Sequence, residues 1–280
     1  MIVTLTPNPS IDRTVSVPAL EHGEVNRASD SRIDPGGKGI NVARALATNG
    51  TEALAVLPSG GPEGHLLQAL LRRSGTAYTA VPIAGTTRMN IAVIEPDGTT
   101  TKLNEPGPTL SADEFDALLA TVDNHLDPDL RWIVGCGSLT PGMPEGIYAD
   151  LVRRGHAHGI KVAIDSSGAP FTAAVPAGPD LIKPNHEELE ELVGRPLHTL
   201  AEVGEAARTL VDGGIETVIV SLGKHGALLV NAVAVAHAIA HVAHPVSTVG
   251  AGDSLVAGYL HAVCRGAGPR EALATGVAWG

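Results

Sequence analysis

Two kinds of hydrophobic pattern alternate along the chain. Short apolar runs are typical of buried strands, and they occur at residues 2–5, 54–57, 133–135, 161–165, 181–183 and 217–222. Elsewhere apolar residues recur every three or four positions, which predicts helices at residues 39–49, 63–73, 111–125, 144–158 and 199–211. This alternation predicts an α/β fold with a parallel sheet covered on both faces, and ligands gather at the carboxyl ends of such strands.

Two stretches, residues 13–32 and 88–103, do not follow this alternation. In both, apolar and polar residues alternate around turn-forming sequences such as the Pro-Asp-Gly at 96–98. We interpret them as antiparallel strands of a small β lid over the active end of the sheet, where a lid excludes water during group transfer. Exposed strand edges invite pairing, so we also expect the lid to join two chains in a homodimer.

The composition favours one packed domain with many turns. Apolar residues make up 44% and charged residues 18%, with 33 Gly and 20 Pro, which excludes a disordered or collagen-like chain. A length of 280 residues fits one α/β domain with a small appendage. The formal charge is −11, from 19 Lys and Arg against 30 Asp and Glu. We therefore expect no nucleic-acid partner, and a phosphorylated substrate requires a local basic pocket.

Cysteine content and hydropathy indicate the compartment. The chain has two cysteines, Cys136 and Cys264, and it opens with a strand-like segment instead of a signal peptide. The longest apolar run, residues 232–246, is interrupted by histidines and is too short to cross a bilayer. These features predict a protein of the reducing cytoplasm without membrane contact. Cys136 has no His or Asp partner at motif spacing, so we expect a buried structural thiol.

The strongest chemical motif is at residues 247–254 (STVGAGDS), directly before a helical pattern. Backbone N–H groups around Gly250, Ala251 and Gly252 at a helix N terminus form a cradle for anions, which suits the charge on a transferring phosphoryl group. Asp253 at this point can accept a hydroxyl proton as a general base. For an isolated motif of this kind, the alternative is a glycine turn in which Asp253 caps the helix.

A second glycine turn enters a helix at residues 35–43 (PGGKGINVA). It lacks the spacing of a Walker A loop and the pattern of a dinucleotide-binding fingerprint, so it need not hold the nucleotide. Small residues let a ligand approach the backbone, Asn41 can bond to sugar hydroxyls, and Lys38 supplies positive charge for a phosphate. The alternative is a tight turn without a ligand.

Three more residues are candidates for contact with a phosphorylated sugar. Asp12 follows the first strand, where it can accept two sugar hydroxyl hydrogens or form an Asx-turn. Arg88 and Lys102 lie in the predicted lid, where a guanidinium fork can grip a phosphate already on the substrate. The alternative for such charges is a solvated side chain without a ligand.

Two strand ends carry candidate nucleotide contacts. Residues 183–188 (KPNHEE) follow a strand and open a helix, so Asn185 and Glu188 lie on one helical face and can order water around Mg²⁺. A charge cluster at a helix start is the alternative. Residues 221–226 (SLGKHG) place glycines at another strand end, as a floor for adenine or ribose.

Together these motifs resemble the ribokinase-like carbohydrate kinases over residues 1–280, in particular their 1-phosphofructokinase and tagatose-6-phosphate kinase branch. Six motifs follow in the family's order: residues 6–12 (TPNPSID), 36–43, 87–90 (TRMN) with 104–107 (NEPG), 137–139 (GSL), 183–188 and 249–254. Lys38 favours this branch over the 6-phosphofructokinase branch, which is glycine-rich there. The resemblance implies a three-layer α/β sandwich with a mainly parallel sheet and a small β lid, and it implies ATP and Mg²⁺.

The resemblance also implies roles for individual residues. Asp253 is the expected base, and the expected anion hole is formed by Gly250, Ala251 and Gly252. Arg88 is expected to contact the substrate's phosphate. The other expected substrate contacts are Asp12, Gly37, Lys38, Asn41, Asn90, Lys102, Asn104 and Ser138. The expected ATP contacts are Lys183, Asn185, Glu188, Ser221, Gly223 and Gly226.

Two departures from the family pattern are visible. Thr140 stands where the family usually has proline, which affects a loop. The family's last helices should follow Gly280, so we expect a C-terminally shortened chain in which part of the adenine pocket is affected.

Three histidines, His237, His241 and His244, have a spacing that would place them on one helical face and could suggest a metal site. No carboxylate or cysteine joins them, and the family resemblance makes this segment strand and turn. We therefore expect no metal there.

The leading hypothesis for function is transfer of the γ-phosphoryl group of ATP to the 6-hydroxyl of fructose 1-phosphate. Tagatose-6-phosphate kinase is the nearest alternative, followed by 6-phosphofructokinase, because discrimination among ketohexose phosphates depends on fine pocket shape. An alternative of a different class is a sensor that binds a sugar phosphate without catalysis. Asp253 next to the two glycines argues against the sensor.

Overall fold

The computed structural model describes residues 1–240 and 250–280. The strands are β1 (Ile2–Leu5), β2 (Ser10–Ser16), β3 (Asp30–Gly36), β4 (Ala53–Ser59), β5 (Tyr78–Pro82), β6 (Arg88–Ile94), β7 (Thr100–Asn104), β8 (Trp132–Cys136), β9 (Lys161–Asp165), β10 (Leu181–Ile182), β11 (Thr217–Ser221), β12 (Ala227–Asn231) and β13 (Val235–Ala238). The helices are α1 (Lys38–Thr48), α2 (Gly61–Arg73), α3 (Ala112–Asp123), α4 (Ile147–Ala157), α5 (Gly168–Ala174), α6 (His186–Val193), α7 (Leu200–Asp212), α8 (Ala251–Cys264) and α9 (Pro269–Trp279). None of the helices in these two ranges is long and apolar enough to cross a membrane.

Within the described residues, the larger sheet has nine strands in the order β13-β12-β11-β10-β9-β8-β1-β4-β5. Neighbouring strands from β11 to β5 pair in parallel, and β12 and β13 extend the sheet as antiparallel strands. The chain passes from β1 to β4 on one side and later returns to β8 on the other. This change of direction creates a crevice outside the carboxyl ends of β1 and β8, where ligands bind in open α/β sheets.

The large sheet separates two hydrophobic cores. Because side chains alternate along a strand, Ile2 of β1 packs in one core and Val3 in the other, and Ile219 and Val218 of β11 divide in the same way. Helices α1, α2, α8 and α9 cover the first face, while α3 to α7 cover the second. The predicted three-layer α/β sandwich with a mainly parallel sheet is confirmed.

A separate four-stranded sheet in the described residues has the order β3-β2-β6-β7. The two stretches form antiparallel hairpins as predicted, β2–β3 and β6–β7, and the two hairpins pair with each other in parallel through β2 and β6. The reason is that β1 and β5 run in the same direction in the large sheet. Each hairpin therefore leaves the same edge, and the first strands of both hairpins lie side by side.

Helices α8 and α9 cross at two glycines. A Cβ atom on Gly258 would lie 2.9 Å from Cα of Gly276 and 3.0 Å from the carbonyl oxygen of Thr275. A Cβ atom on Gly276 would lie 2.7 Å from the carbonyl oxygen of Leu255. The two backbones are therefore in direct contact, and this contact sets the direction of α8.

We expect Gly258→Ala to destabilise the fold, because its new Cβ would overlap the α9 backbone. Overpacking of this kind costs about 1–3 kcal/mol, at roughly 2–4 °C of Tm per kcal/mol. Gly204→Ala is the matched control, because in α7 the nearest atom to a new Cβ is Leu228 Cδ2 at 3.7 Å. That variant should gain about 0.5–1 kcal/mol from helix propensity. Thermal melts followed by circular dichroism should show shifts of opposite sign, and shifts of the same sign would contradict the crossing.

Candidate active site

The first turn of α8 contains the residues for which the sequence predicts an anion cradle. Gly250 precedes the helix with φ of 82°, in the left-handed region, and no side chain of the described residues caps this end. The first intrahelical bond runs from Ser254 N to the Gly250 carbonyl at 2.8 Å. The N–H groups of Ala251 and Gly252 therefore lack a helical acceptor and, with the positive end of the helix dipole, can bind an anion.

Asp253 lies in the same turn and is 7% exposed. Its Oδ2 accepts a hydrogen bond from Asn41 Nδ2 at 2.8 Å. Burial, followed by the negative charge of Asp165, raises the pKa of Asp253 to about 6, although Asn41, Lys38 and Lys183 act in the opposite direction. Such a carboxylate is mostly ionised at neutral pH and binds a proton more readily than an exposed aspartate, as a general base must.

A buried carboxylate, Asp165 at the end of β9, holds two lysines beside Asp253. Asp165 is 1% exposed, and its Oδ1 lies 2.8 Å from Lys38 Nζ and 3.4 Å from Lys183 Nζ. Burial alone would raise the pKa of Asp165, but the two ammonium groups hold it below its usual range. Burial likewise acts to lower the pKa of Lys38, and Asp165 raises it above its ordinary value. Asp165 and Lys38 therefore both stay charged around neutral pH.

Asp165 is not among the site residues predicted from the sequence. It could have been recognised as a carboxylate at the carboxyl end of the strand predicted at residues 161–165. Its partner Lys38 is 127 positions away, so only the folded chain reveals the pair. Two lysines thus meet at this end of the sheet, in a chain whose formal charge is −11.

The four-stranded sheet β3-β2-β6-β7, here called the lid sheet, brings three predicted substrate residues to one face. Asp12 lies within β2, so the Asx-turn alternative is wrong. Asp12 Oδ1 accepts bonds from Ser10 Oγ at 2.7 Å and Asn90 Nδ2 at 3.0 Å. Asn90 is the cross-strand partner of both Asp12 and Asn104, which places the three side chains on the same face. A Cβ on Gly36 would lie 2.3 Å from Asp12 Cγ, so glycine there leaves room for the carboxyl group.

Arg88, at the start of β6, is held by two main-chain carbonyls. Its Nη1 donates to the Glu105 carbonyl oxygen at 2.9 Å and its Nη2 to the Asn8 carbonyl oxygen at 3.0 Å. Burial lowers the pKa of Arg88, and the carboxylates of Asp12 and Glu105 oppose this effect. Ser138 lies nearby, with its Oγ 3.5 Å from Asn8 Nδ2. A cavity of about 420 Å³ lies next to Arg88.

Two predicted substrate residues make fewer contacts. Gly37 precedes α1 with φ of 119°, and a Cβ there would lie 2.7 Å from Thr6 Cγ2, so the position requires glycine. Lys102 is exposed in β7 opposite Ala92, and no ion pair joins it to the described residues. Lys102 and Asn104 are two positions apart in β7, so their side chains lie on the same face of the sheet.

The predicted nucleotide residues gather between β10 and β11. Asn185 Oδ1 accepts a bond from Glu188 N at 2.7 Å, and Glu188 Oε2 accepts one from Asn185 N at 2.8 Å, which is a capping box for α6. Ser221 N donates to the Pro184 carbonyl at 3.0 Å and brings the end of β11 beside this helix. Glu188 is near enough to raise the pKa of Lys38, so its carboxylate belongs to the same electrostatic region.

The turn from β11 to β12 contains the other two predicted nucleotide residues. Gly223 has φ of 56° and Gly226 has φ of 80°, and both values are in the left-handed region. A Cβ on Gly226 would lie 1.9 Å from the carbonyl oxygen of Ala238. This close approach accounts for glycine at position 226 without a ligand, whereas a Cβ on Gly223 would meet no atom within 4 Å.

The remaining candidates have structural roles where they are described. Cys136 is fully buried, as predicted, and burial raises the pKa of its thiol well above the usual range. His237 lies in β13, and its Nε2 is 2.8 Å from the carbonyl oxygen of His225. His241, His244 and residues 247–249 lie outside the described residues. Across residues 1–240 and 250–280, no three His, Cys, Asp or Glu side chains are grouped as metal ligands.

Comparison with known proteins identifies the class of enzyme to which this fold and site belong. Residues 6–280 match the model described as pfkB family carbohydrate kinase. The chain belongs to this family. It is therefore a phosphotransferase that acts on a carbohydrate, and kinases of this family use ATP as the co-substrate. The predicted family and enzyme class are confirmed.

Individual relatives cover most of the chain. The 1-phosphofructokinase of Rhodobacter capsulatus is 38% identical over 266 residues, which cover 95% of this chain and 84% of that protein. The 1-phosphofructokinase of Xanthomonas campestris pv. campestris is 39% identical over 269 residues, with coverages of 93% and 83%. The crystal structure of phosphofructokinase-2 from Escherichia coli in complex with substrates and products has a TM-score of 0.94 at 35% identity, covering 99% of this chain and 91% of that chain.

We expect the carboxyl group of Asp253 to titrate near pH 6, and Asp165→Asn to lower that midpoint, because the variant removes a negative charge that raises the pKa of Asp253. Carbon-13 NMR of labelled aspartate side chains would measure the titration midpoint, and the signal of Asp253 is assigned by its loss in Asp253→Asn. Asp150→Asn is the control, since Asp150 is on α4 and pairs with Arg153 at the surface. An unchanged or raised midpoint in Asp165→Asn would contradict the proposed coupling.

Proposed function

We propose that this chain transfers the γ-phosphoryl group of ATP to the 6-hydroxyl of fructose 1-phosphate and forms fructose 1,6-bisphosphate. The observation that carries the proposal is the buried Asp253, which is bonded to Asn41 and flanked by the lysines that Asp165 holds. It lies at a helix N terminus that no side chain of residues 1–240 and 250–280 caps. The 1-phosphofructokinase names of the two relatives support this choice of sugar phosphate.

In the proposed reaction, Asp253 accepts the proton of the sugar hydroxyl as its oxygen attacks the γ-phosphorus. A phosphorus–oxygen bond to the sugar forms while the bond between the γ-phosphorus and the ADP oxygen breaks. The N–H groups of Ala251 and Gly252 face the negative charge on the transferring group, and Lys38 and Lys183 add positive charge. Burial of Asp253 keeps bulk water from competing for its proton-accepting oxygen.

The acceptor sugar is proposed to lie between the lid and α1. Asp12, Asn41 and Asn104 are suited to bond its hydroxyl groups, because carboxylate and amide groups accept or donate to several hydroxyls. Arg88 is proposed to bind the phosphate that the substrate already carries. The remaining proposed contacts from the lid and the two loops are Gly37, Lys38, Asn90, Lys102 and Ser138.

The nucleotide is proposed to lie on the other side of Asp253. Lys183 is placed for the phosphates of ATP, and the proposed contacts further along are Asn185, Ser221, Gly223 and Gly226. Glu188 fits Mg²⁺ through water, because the capping box uses only one of its two carboxylate oxygens. The single amide oxygen of Asn185 is engaged in the box, and its second lone pair is proposed to accept from a water of the same Mg²⁺. Bound Mg²⁺ would offset negative charge on the phosphates.

The lid is proposed to pair two chains. Strand β7 is exposed along its whole length, and Leu103 is 59% exposed on this edge of the lid sheet. Covering such an edge with a second copy would satisfy its unpaired main-chain groups. Size-exclusion chromatography with light scattering should give a dimer at micromolar concentration, and a monomer would contradict this pairing. In the proposed cytoplasmic setting, both cysteines remain the free thiols of the structure.

The proposed substrate is tested by comparing kcat/KM on fructose 1-phosphate, fructose 6-phosphate and tagatose 6-phosphate in an assay coupled to ADP release. We expect the highest value with fructose 1-phosphate, because Lys38 and the two relatives favour that branch. A preference for either 6-phosphate would overturn the choice of substrate. Binding of sugar phosphate without ADP release would instead indicate a sensor.

We expect Asp253→Asn to abolish most catalysis and leave the fold intact. Asparagine keeps the size of the side chain but cannot take up the proton, and loss of a general base costs about 10²–10⁴-fold in kcat. No side chain of the described residues caps α8, and asparagine would serve there as well as aspartate, so Tm should change by only a few degrees. Steady-state kinetics, calorimetric binding of fructose 1-phosphate and thermal melts separate these results. A variant that retains more than about a tenth of wild-type kcat would show that Asp253 is not the base.

A further inference from the structure

Arg88 carries hydrogen-bond donors that its contacts with the protein do not use. A guanidinium group has five N–H bonds, and the two described carbonyls take one from Nη1 and one from Nη2. The Nε atom is buried and has no partner among the described residues. The group is therefore fixed by two of its bonds, and each Nη atom keeps a second N–H bond for a phosphate in the adjoining cavity.

Asn8, which supplies one of the two carbonyls, is itself fixed by its side chain. It is 4% exposed, and its Nδ2 donates to the carbonyl oxygens of Pro106 at 3.0 Å and Leu139 at 3.1 Å. Both N–H bonds of the amide are thus used on two different loops. A Cβ on Gly107 would lie 2.3 Å from Asn8 Oδ1, so the loop after β7 passes directly over this amide.

Glu105, which supplies the other carbonyl, is also bonded back to the strand that carries Arg88. Its Oε2 accepts the main-chain N–H of Met89 at 2.8 Å. Glu105 is thus bonded twice to the start of β6, once by the guanidinium of Arg88 and once by the main-chain N–H of Met89. The cavity of about 420 Å³ beside them is lined by Gly85, Thr86, Arg88, Glu105, Pro106, Gly107, Pro108 and Thr109.

We propose that Asn8 and Glu105 are positioning residues that hold the Arg88 guanidinium ready for the phosphate already present on the acceptor. The inference rests on the proposed function and adds two residues to which that function assigned no role. Arginine has several rotatable bonds, and a side chain that is already ordered loses less entropy when it binds a phosphate. Asn8 fixes one carbonyl through the loops at 106 and 139, and Glu105 fixes the other through β6.

The test compares Asn8→Ala and Glu105→Ala with Arg88→Met, with the conservative variant Glu105→Gln, and with Asn231→Ala. Asn231 is the matched control, because it is 8% exposed and its Oδ1 accepts main-chain bonds from Val233 and Ala234 at the far edge of the large sheet. Each variant is assayed for KM and kcat with fructose 1-phosphate, for KM with ATP, and for kcat/KM with unphosphorylated fructose.

Arg88→Met should raise KM for fructose 1-phosphate by about 10- to 100-fold, the range for a lost charged hydrogen bond. Asn8→Ala and Glu105→Ala should raise it by roughly five- to thirtyfold, because Arg88 remains but is less ordered. Their kcat, KM for ATP and kcat/KM for fructose should stay within about twofold of wild type, since fructose has no phosphate for Arg88 to bind. Glu105→Gln keeps an acceptor for the Met89 N–H and should restore most of the affinity. Asn231→Ala should lower Tm without changing KM.

A double variant separates action through Arg88 from a general structural effect. When Arg88→Met is already present, adding Asn8→Ala should change KM by less than about twofold. The inference is overturned if Asn8→Ala and Glu105→Ala leave KM for fructose 1-phosphate unchanged, or if they reduce activity with fructose equally. If the wild type phosphorylates none of the three ketohexose phosphates, the proposed function fails. Calorimetric titration with fructose 1-phosphate then tests the positioning by itself, and equal Kd values in wild type and variants would refute it.

Discussion

The buried carboxylate of Asp165 is the constraint on which the rest of the site depends. Two ammonium groups from different parts of the chain, Lys38 of α1 and Lys183 after β10, meet at one of its oxygens. Without a counter-charge they would repel one another and would be costly to bury in their charged forms. Asp165 thus concentrates positive charge at the carboxyl edge of the sheet, although the chain as a whole has a formal charge of −11.

Asp165 and Asp253 are close to each other, but their pKa values are shifted in opposite directions. Asp165 is in direct contact with the two lysines and stays ionised. Asp253 is buried without an ion pair to either lysine among the described residues, and its pKa is raised to about 6. Two carboxylates in one region of low dielectric have their proton affinities pushed apart in this way. One therefore serves as a permanent counter-charge, and the other can exchange a proton near neutral pH. Asn41 fixes the orientation of the second.

In the proposed function, the two sheets divide the tasks of substrate recognition and phosphoryl transfer. The large sheet and α8 supply the charged groups and the helix N terminus, while the lid sheet presents Asp12, Asn90 and Asn104 on one of its faces. This arrangement follows from topology, because β1 and β5 both deliver the chain to the same edge before each lid hairpin begins. The direct contact at Gly258 and Gly276 packs α8 closely against α9.

The sequence by itself determined the alternating layers, the lid segments and the glycine turns, because periodicity and turn chemistry are local properties. It also placed Asp253 in the first turn of a helix, and the family resemblance supplied its expected role. Only the tertiary structure decided that β2 pairs in parallel with β6, that Asp165 joins Lys38 and Lys183, and that the buried amide of Asn8 joins two loops. The β2–β6 pairing, the contact of Lys38 with Asp165 and the two bonds of Asn8 each join residues more than 70 positions apart in the chain. Their physical reason is burial: a charged or polar group removed from water needs a partner, and folding brings that partner from a distant part of the chain.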